Sequence, residues 1–468
     1  MTIADRGRIF ERLLDKRGGM TVRPVVFVDE GLGNSSYLVD LGDGRGLVVD
    51  PARHPAAYLA EAERRGLDIA FAAETHLHAD FVSGARELAA LGASLLVPGA
   101  GGHEYPVRGL SDGEDVDLGG IVLRPLATPG HAPEHLAYLL LDGAKPVALF
   151  SGGALLVDSV ARTDLVAPER TEELARSLWR SLHERILTLP DGLPVYPTHG
   201  AGSFCSAPAG GERTTTIGRE RLANPLLAAP DEDAFVERLQ AGLGTYPPYF
   251  LRLRAVNRRG PGLFGPGAPV LPTVAPHDAH RLQAAGAWVV DVRPITAFAE
   301  GHVPGSVSIA LRPQFASWLG WVVPEGAPLL FVLDPEQDRS DVVRQCRNIG
   351  YETILGEIGG GIDCWRAAGC ELTTVPLASV EAASGTVLDV RQRSEYEAGH
   401  LPGAVNLEAG AVADAALPAA PIALMCGHGE RAMTAASLLL RRHRERVTVL
   451  VGGPDDWARH HGTLTAGP

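Results

Sequence analysis

The sequence predicts an α/β protein in three parts: a layered N-terminal α/β domain and two small doubly wound α/β units. Three observations carry this reading. Short apolar strands and amphipathic helices fill residues 1–257. A Gly/Pro-rich stretch, "RRGPGLFGPGAPVLPTV" (258–274), follows with little helical or strand period and reads as a linker. Beyond it the chain repeats itself. "WVVDVRPITAFAEGHVPGSVSIAL" (288–311) returns as "TVLDVRQRSEYEAGHLPGAVNL" (386–407), each copy carrying D-V-R and then G-H-x-P-G. The offset of about 95 residues matches a common domain size, so the repeat divides into 275–375 and 376–468.

The elements follow in order. Residues 25–50 hold "VVFV", "SSYLVDL" and "GLVVD", three strands separated by turns such as "DGRG". "HPAAYLAEAERRGL" predicts a helix, and "DIAFAAETH" a buried strand that stops at histidine. A further helix is expected in "SGARELAALG", with Ser83 as its N-cap. Strands are expected near 121–127, 136–142 and 146–150, a long helix over 171–187, and a strand in "LPVYPTHG". In each repeat the pattern is strand, turn, helix, strand, loop, helix.

Composition narrows the function classes. A chain of 468 residues exceeds one ordinary core, and 21% charged with 45% hydrophobic residues is globular rather than disordered. The net charge of -14 argues against non-specific binding to nucleic acid or anionic membrane. "MTIADRGRIFERLLDKRGGM" has no apolar core of a leader, and no run approaches the roughly 20 apolar residues of a membrane span. Five scattered cysteines without a C-x-x-C pair fit a reducing cytoplasm.

"ETHLHADFVSG" (74–84) is the first stretch that carries chemistry. His76 and His78 lie two residues apart at a strand end, so their imidazoles point the same way, and Asp80 follows. His131 in "TPGHAPEH" and His199 in "YPTHG" also sit at strand ends or in loops, where active sites of α/β folds gather. That constellation reads as a metal site. His103, His183 and His302 lack such company and read as structural. Cys205, six residues after His199, is a candidate pocket residue.

"VVDP", "THLHAD", "TPGH", "RTDL" and "YPTHG" occur in an order that resembles the metallo-β-lactamase superfamily, and within it the persulfide dioxygenase branch fused to rhodanese modules. The resemblance implies an αββα sandwich with one Fe(II) between the sheets, held by two His and one Asp. Its implied reaction is oxidation of a persulfide's terminal sulfur with O2 to sulfite. His76 and His131 match the two iron-binding imidazoles, and His78 is the third imidazole expected on the metal. Asp80 and His199 are ligands in two-metal relatives, and here either ligate or line the pocket. Asp50 matches the residue that organises the loop beneath the site. Arg162 in "ARTDL" matches a substrate-binding arginine suited to the carboxylate of a glutathione-like thiol.

Two residues depart from that pattern. Phe81 replaces the usual second-site imidazole, which disfavours a two-zinc hydrolase. Gly153, in "FSGGALL", stands where the carboxylate ligand is expected. Two His and one carboxylate suit ferrous iron for O2 chemistry. Without the carboxylate, Asp80 or a swung-in Asp158 supplies it, or His76, His78 and His131 form a three-His site that also suits Zn(II), or the site is idle.

The second chemical stretch is "MCGHGERAM". Cys426 ends an apolar strand, Arg431 lies five residues on, and a helix follows. Backbone N–H groups of such a loop, the helix N-terminus and the arginine all favour a thiolate nucleophile. The loop resembles that of rhodanese sulfurtransferases. In that resemblance Cys426 carries a persulfide, cradled by Gly427, His428, Gly429, Glu430 and Arg431. Asp389 and Arg391 are expected to tie the base of the loop. In the first repeat "DPEQDR" (334–339) aligns with "CGHGER" (426–431), so Asp334 replaces the nucleophile and residues 275–375 read as an inactive module.

The expected function is a fusion enzyme that oxidises a glutathione or other low-molecular-weight persulfide with O2, and exchanges sulfane sulfur with thiosulfate and sulfite through Cys426. The alternatives are a zinc thioester hydrolase of glyoxalase II type and a sulfurtransferase or carrier with a vestigial metal domain. No nucleic-acid or membrane partner is expected, and the resemblance implies a homo-oligomer.

Overall fold

A computed structural model of the chain describes residues 22–205, 211–383, 385–417, 421–444 and 446–467. The segment 1–21, read above as lacking an apolar leader, lies outside the described residues. The chain forms two compact units, one built mostly of residues up to Gly267 and the other mostly of residues from Ala268 on, with Glu30–Leu32 and Gly244–Arg252 belonging to the second.

The N-terminal unit is an αββα sandwich of two six-stranded sheets. The first runs in chain order from Val25–Asp29 to Arg108–Leu110. The second is ordered Thr215–Thr216, Pro194–Pro197, Lys145–Gly152, Leu136–Asp142, Ile121–Ala127, Val116–Asp117. Strand alternation explains the four layers. Tyr37, Val39, Leu47 and Val49 face inward and meet Tyr138, Leu140, Ala148 and Phe150 of the other sheet. Their neighbours Leu38 and Val48 point outward, onto Tyr58 and Ala62 of helix Ala56–Arg65. Leu139, Leu141 and Leu149 likewise point outward, onto helices Thr171–Ser181 and Glu232–Ala241. Both faces of each strand are therefore apolar, which is why the strands read as near-continuous hydrophobic runs.

Ser83 is displaced from its expected cap position: the helix begins at Ala85, and Ser83 Oγ accepts from Ala85 N at 2.9 Å while donating to Glu74. The expected linker also differs. Residues Gly262–Gly265 are bolted to the sandwich. Arg53 and Arg86 donate to Gly262 and Pro261 carbonyls, and Glu87 accepts from Phe264 N and Gly265 N at 2.8 and 3.0 Å. Thr273–Val274 is a strand, paired in parallel with Ile354–Ile358. The Gly/Pro content hid these contacts because they are made by backbone groups, which composition does not report.

The C-terminal unit holds two parallel five-stranded sheets of identical order. They are Thr273–Val274, Ile354–Ile358, Leu329–Val332, Trp288–Asp291, Val307–Ser308, and Leu377–Ser379, Val447–Val451, Ile422–Met425, Thr386–Asp389, Val405–Asn406. The repeated D-V-R explains itself. Arg293 forks onto Asp291 at 2.9 and 2.6 Å and donates to Gly301 O, and Arg391 forks onto Asp389 and donates to Gly399 O in the same way. Each buried carboxylate thereby gains the partner that burial demands. The G-H histidines are structural: His302 stacks on Phe298 and His400 on Tyr396, both at 3.7 Å, each bonded through Nδ1 to that residue's carbonyl. Among the described residues no helix is long and apolar enough to cross a membrane.

Candidate functional site

Strands Asp68–Ala73, Ile121–Ala127, Lys145–Gly152 and Pro194–Pro197 end on one side of the sandwich, and the loops beyond them carry the histidines. His76, His78, His131 and His199 are all buried and converge. His76 Nε2 lies 3.5 Å from His199 Nε2, a separation two ligands of one metal would have. Ring centroids of His76 and His131 are 4.7 Å apart, those of His131 and His199 5.2 Å.

Each imidazole is oriented from behind. Thr75 Oγ1 holds His76 Nδ1 at 2.8 Å, the Arg162 carbonyl accepts from His131 Nδ1 at 2.7 Å, and Asn34 Oδ1 lies 3.2 Å from His199 Nδ1. The Nε2 atoms are left for the pocket, the arrangement that fixes tautomer and aim at metal sites. Burial pushes the His76 and His131 imidazoles well below their ordinary value, and neighbouring imidazoles push the same way. Both are neutral, with lone pairs free to bind a cation.

His78 is held the other way round. Its Nε2 lies 3.2 Å from Asp50 and 3.0 Å from Glu74, leaving a buried Nδ1 with no hydrogen-bond partner. Burial alone would lower its pKa, but the two carboxylates outweigh it and hold the imidazole up at about 10. Asp50 also accepts from Thr75 N at 2.7 Å, from Thr75 Oγ1 at 2.8 Å and from the Thr198 hydroxyl, so it ties the loops of the site together. Asp80 lies behind His199, with its carboxylate 3.2 Å from Nδ1.

Among the described residues, three trios of donor atoms lie within 4.8 Å of one another: His76, His78 and His199; His131, His199 and Cys205; and Asp50, Glu74 and His78. None includes Asp80. Asp158 is engaged elsewhere, with Arg219 at 3.2 Å. Neither of the two carboxylates considered as replacements at Gly153 joins those trios: Asp80 backs His199, and Asp158 pairs with Arg219. Nor is there room at Gly153 itself, where a Cβ would lie 2.6 Å from His131 Cδ2 and 3.1 Å from Ala161 Cβ. The donors fit a metal, by their convergence and by the orphaned Nδ1 of His78. They do not fit a two-His, one-carboxylate set centred on position 153.

Arg162 requires a correction. Its side chain is 4% exposed, forks onto Asp164 at 2.6 and 2.7 Å and donates to Phe204 O at 3.0 Å. The guanidinium is occupied inside the protein rather than offered to a ligand's carboxylate. Phe81 stacks on His78 with centroids 4.2 Å apart and makes an apolar wall.

The fold also brings His135, Glu74 and Asn257 to the site. His135 stacks on His76 at 5.1 Å, takes Thr128 Oγ1 at Nδ1, and accepts from Gly153 N at 3.0 Å. It fills the space beside Gly152, whose φ of 56° places it in the left-handed region. Asn257 donates to the carbonyls of His78 and Phe81 at 2.8 and 2.9 Å and accepts from Ser83 N. The four-residue step from Glu74 to His78 was a usable signal for Glu74. Asn257, more than 170 residues from the motif it supports, offered none.

In the C-terminal unit Cys426 is 1% exposed and directly follows strand Ile422–Met425. Gly429 N–H points at Sγ from 3.1 Å, with Gly429 at φ 101° opening helix Glu430–Arg441. Arg431 is not aimed at the sulfur alone: it forks onto Glu395 at 2.5 and 2.8 Å and lies 5.9 Å from the Trp318 ring of the first repeat. The equivalent loop in that first repeat is inverted. Arg339 donates to the carbonyls of Asp334, Pro335 and Gln337, so the loop presents oxygens inward, and Pro335 has no N–H to offer.

Residues 29–199 match the Metallo-beta-lactamase superfamily, and residues 275–368 and 377–460 match the Rhodanese-like domain. The chain is 30% identical to a solved metallo-beta-lactamase of Staphylococcus aureus, with a TM-score of 0.64 over 72% of this chain and 99% of the other. It is 28% identical over 233 residues to the human mitochondrial persulfide dioxygenase ETHE1, covering 48% of this chain and 85% of that protein. A hydroxyacylglutathione hydrolase of Methylococcus capsulatus is 36% identical over 172 residues, 36% of this chain and 62% of the hydrolase.

Proposed function

The chain belongs to the metallo-β-lactamase superfamily and ends in two rhodanese-like domains, and on that premise we propose that it is a persulfide dioxygenase fused to a sulfurtransferase. The observation that carries the reading is the convergence of buried neutral imidazoles, each braced through Nδ1, in a chain that also places a buried Cys426 under a backbone N–H. The likeness to human ETHE1 supports a persulfide as substrate.

His76, His131 and His199 would hold the metal, Fe(II) in this reading, and His78 Nδ1 would join them once its proton is displaced; the metal when bound supplies O2 activation and a soft site for sulfur. The residues around it do the rest. Thr75, Asn34 and the Arg162 carbonyl keep the imidazoles aimed, and the Phe81 ring keeps water from that side of the pocket. At the second site Cys426 Sγ attacks the sulfane sulfur of a donor such as thiosulfate. One S–S bond forms, the donor's S–S bond breaks, and sulfite leaves with the electron pair. A thiolate or sulfite acceptor then reverses the exchange, and the Gly429 N–H steadies the sulfur's charge in both directions. A reducing, cytoplasmic setting fits the five free cysteines.

The test is O2 uptake by the purified chain with glutathione persulfide, alongside metal analysis. Roughly one iron per chain, uptake that depends on persulfide, and sulfite as product are expected. Iron-loaded chain that consumes no O2 would overturn the dioxygenase half. The likeness to a hydroxyacylglutathione hydrolase favours a second reading, a zinc thioester hydrolase, which would require two metals per chain and hydrolysis of S-lactoylglutathione. Phe81 and Gly153 each remove a ligand from that second metal.

A further inference from the structure

The metal centre lacks the negative charge that Gly153 fails to supply, and the structure contains one group placed to supply it. We propose that the Cys205 thiolate is a ligand of the metal, together with His131 and His199. This rests on the reading of the pocket as a metal site and goes beyond it by assigning the missing anionic donor.

Three independent features of the geometry point there. Cys205 Sγ, His131 and His199 offer ligand atoms that all lie within 4.8 Å of one another, and all three residues are buried. Each of the three is set by a hydrogen bond of its own. Arg162, a single residue, clamps two of them into one frame: its carbonyl accepts from His131 Nδ1 at 2.7 Å, and its N–H donates to Cys205 O at 2.8 Å. The Arg162 guanidinium adds a bond to Phe204 O, and Cys205 N donates to Ser203 Oγ at 3.1 Å, so the loop after His199 is fixed where the sulfur enters the pocket. Third, Gly153 and its surroundings leave no room for a carboxylate, because a Cβ would press on His131. Any anionic ligand must arrive from another element, and Cys205 comes from the loop after the neighbouring strand Pro194–Pro197.

The charge balance agrees. Two neutral imidazoles and one carboxylate leave a divalent ion at +1, and neutral imidazoles with one thiolate leave the same. A buried cysteine is ordinarily a small apolar filler. This one stands beside the Asp80 carboxylate and two imidazoles, an environment that suits a donor rather than a methyl group. On binding, the S–H bond breaks, its proton leaves to solvent, and the S–metal bond forms; no electrons are transferred. A thiolate shifts preference toward softer ions than a carboxylate does.

The experiment adds Co(II) alone to the metal-free full-length chain and records the near-ultraviolet spectrum. A thiolate-to-cobalt charge-transfer band is expected, lost in Cys205→Ala with at least a tenfold weaker cobalt affinity, and kept in Cys426→Ala. X-ray absorption at cobalt in the unaltered chain should show one sulfur neighbour, a readout that does not depend on the variant folding. Cobalt bound with no thiolate band and no sulfur neighbour would overturn the assignment while leaving the imidazole site standing. Failure to bind cobalt at all would overturn both.

Discussion

Restoring a carboxylate at Gly153 should damage the site rather than repair it. The position is not in the left-handed region, so the backbone tolerates a side chain, and the obstacle is steric. A Cβ there would lie 2.6 Å from His131 Cδ2, 2.9 Å from His131 Cγ and 3.1 Å from Ala161 Cβ. Carbon contacts are comfortable at about 3.5–4.0 Å, so the His131 ring would have to retreat by roughly 1 Å. It has nowhere to go, because its Nδ1 is fixed to the Arg162 carbonyl at 2.7 Å. Overpacking of this kind costs about 1–3 kcal/mol. For a unit of this size that is a fall of about 2–4 °C in Tm for each kcal/mol. The assay is hydrogen exchange of the strand Lys145–Gly152 in the metal-free chain, which separates the packing cost from any gain in metal binding. Gly153→Ala and Gly153→Asp should both speed exchange of that strand, and Gly153→Ala should also weaken metal binding by moving His131. Unchanged exchange, together with tighter iron binding in Gly153→Asp, would refute the reasoning and make position 153 a ligand slot standing empty.

Other outcomes follow from the same contacts. Asp334→Cys should not give the first repeat sulfurtransferase activity, because Arg339 and three inward carbonyls occupy its loop; a persulfide detected at residue 334 by mass spectrometry would contradict this. Cys426→Ser should abolish thiosulfate-to-acceptor sulfur transfer while leaving persulfide-dependent O2 uptake within about twofold, since serine cannot carry sulfane sulfur; both rates can be followed in one preparation. Burial lowers the His302 pKa from 6.5 to about 4. The fold thus favours neutral His302, its stabilisation is complete above pH 6.5, and about 3 kcal/mol is lost as pH falls toward 4. Exchange rates of helix Ile295–Glu300 should rise across that window and flatten in His302→Gln; parallel pH profiles in the two chains would argue against it.

Much of this protein was legible in one dimension because the signals are local. Near-continuous apolar runs within 36–49 and 136–150 read as strands buried on both faces, and the resemblance to the metallo-β-lactamase superfamily implied the αββα sandwich that covers them. The repeated D-V-R marks a two-residue Asp–Arg fork, short enough to be written in the motif itself. His76, His78 and Cys426 announce themselves in the same way, by neighbours a few positions off.

What the tertiary structure alone decided is how those groups meet. His76 and His199 are 123 residues apart yet bring their Nε2 atoms to 3.5 Å, and no spacing rule fixes that distance. The sequence marks Gly153 as a missing ligand, but the fold shows the place to be already filled, by His131 on one side and by the bond from Gly153 N to His135 on the other. Arg162 reads in the sequence as a substrate-binding arginine, and the fold gives its guanidinium internal partners. A charged group's role depends on which other groups burial sets against it. That is a property of packing between distant segments, and the order of residues along the chain does not contain it.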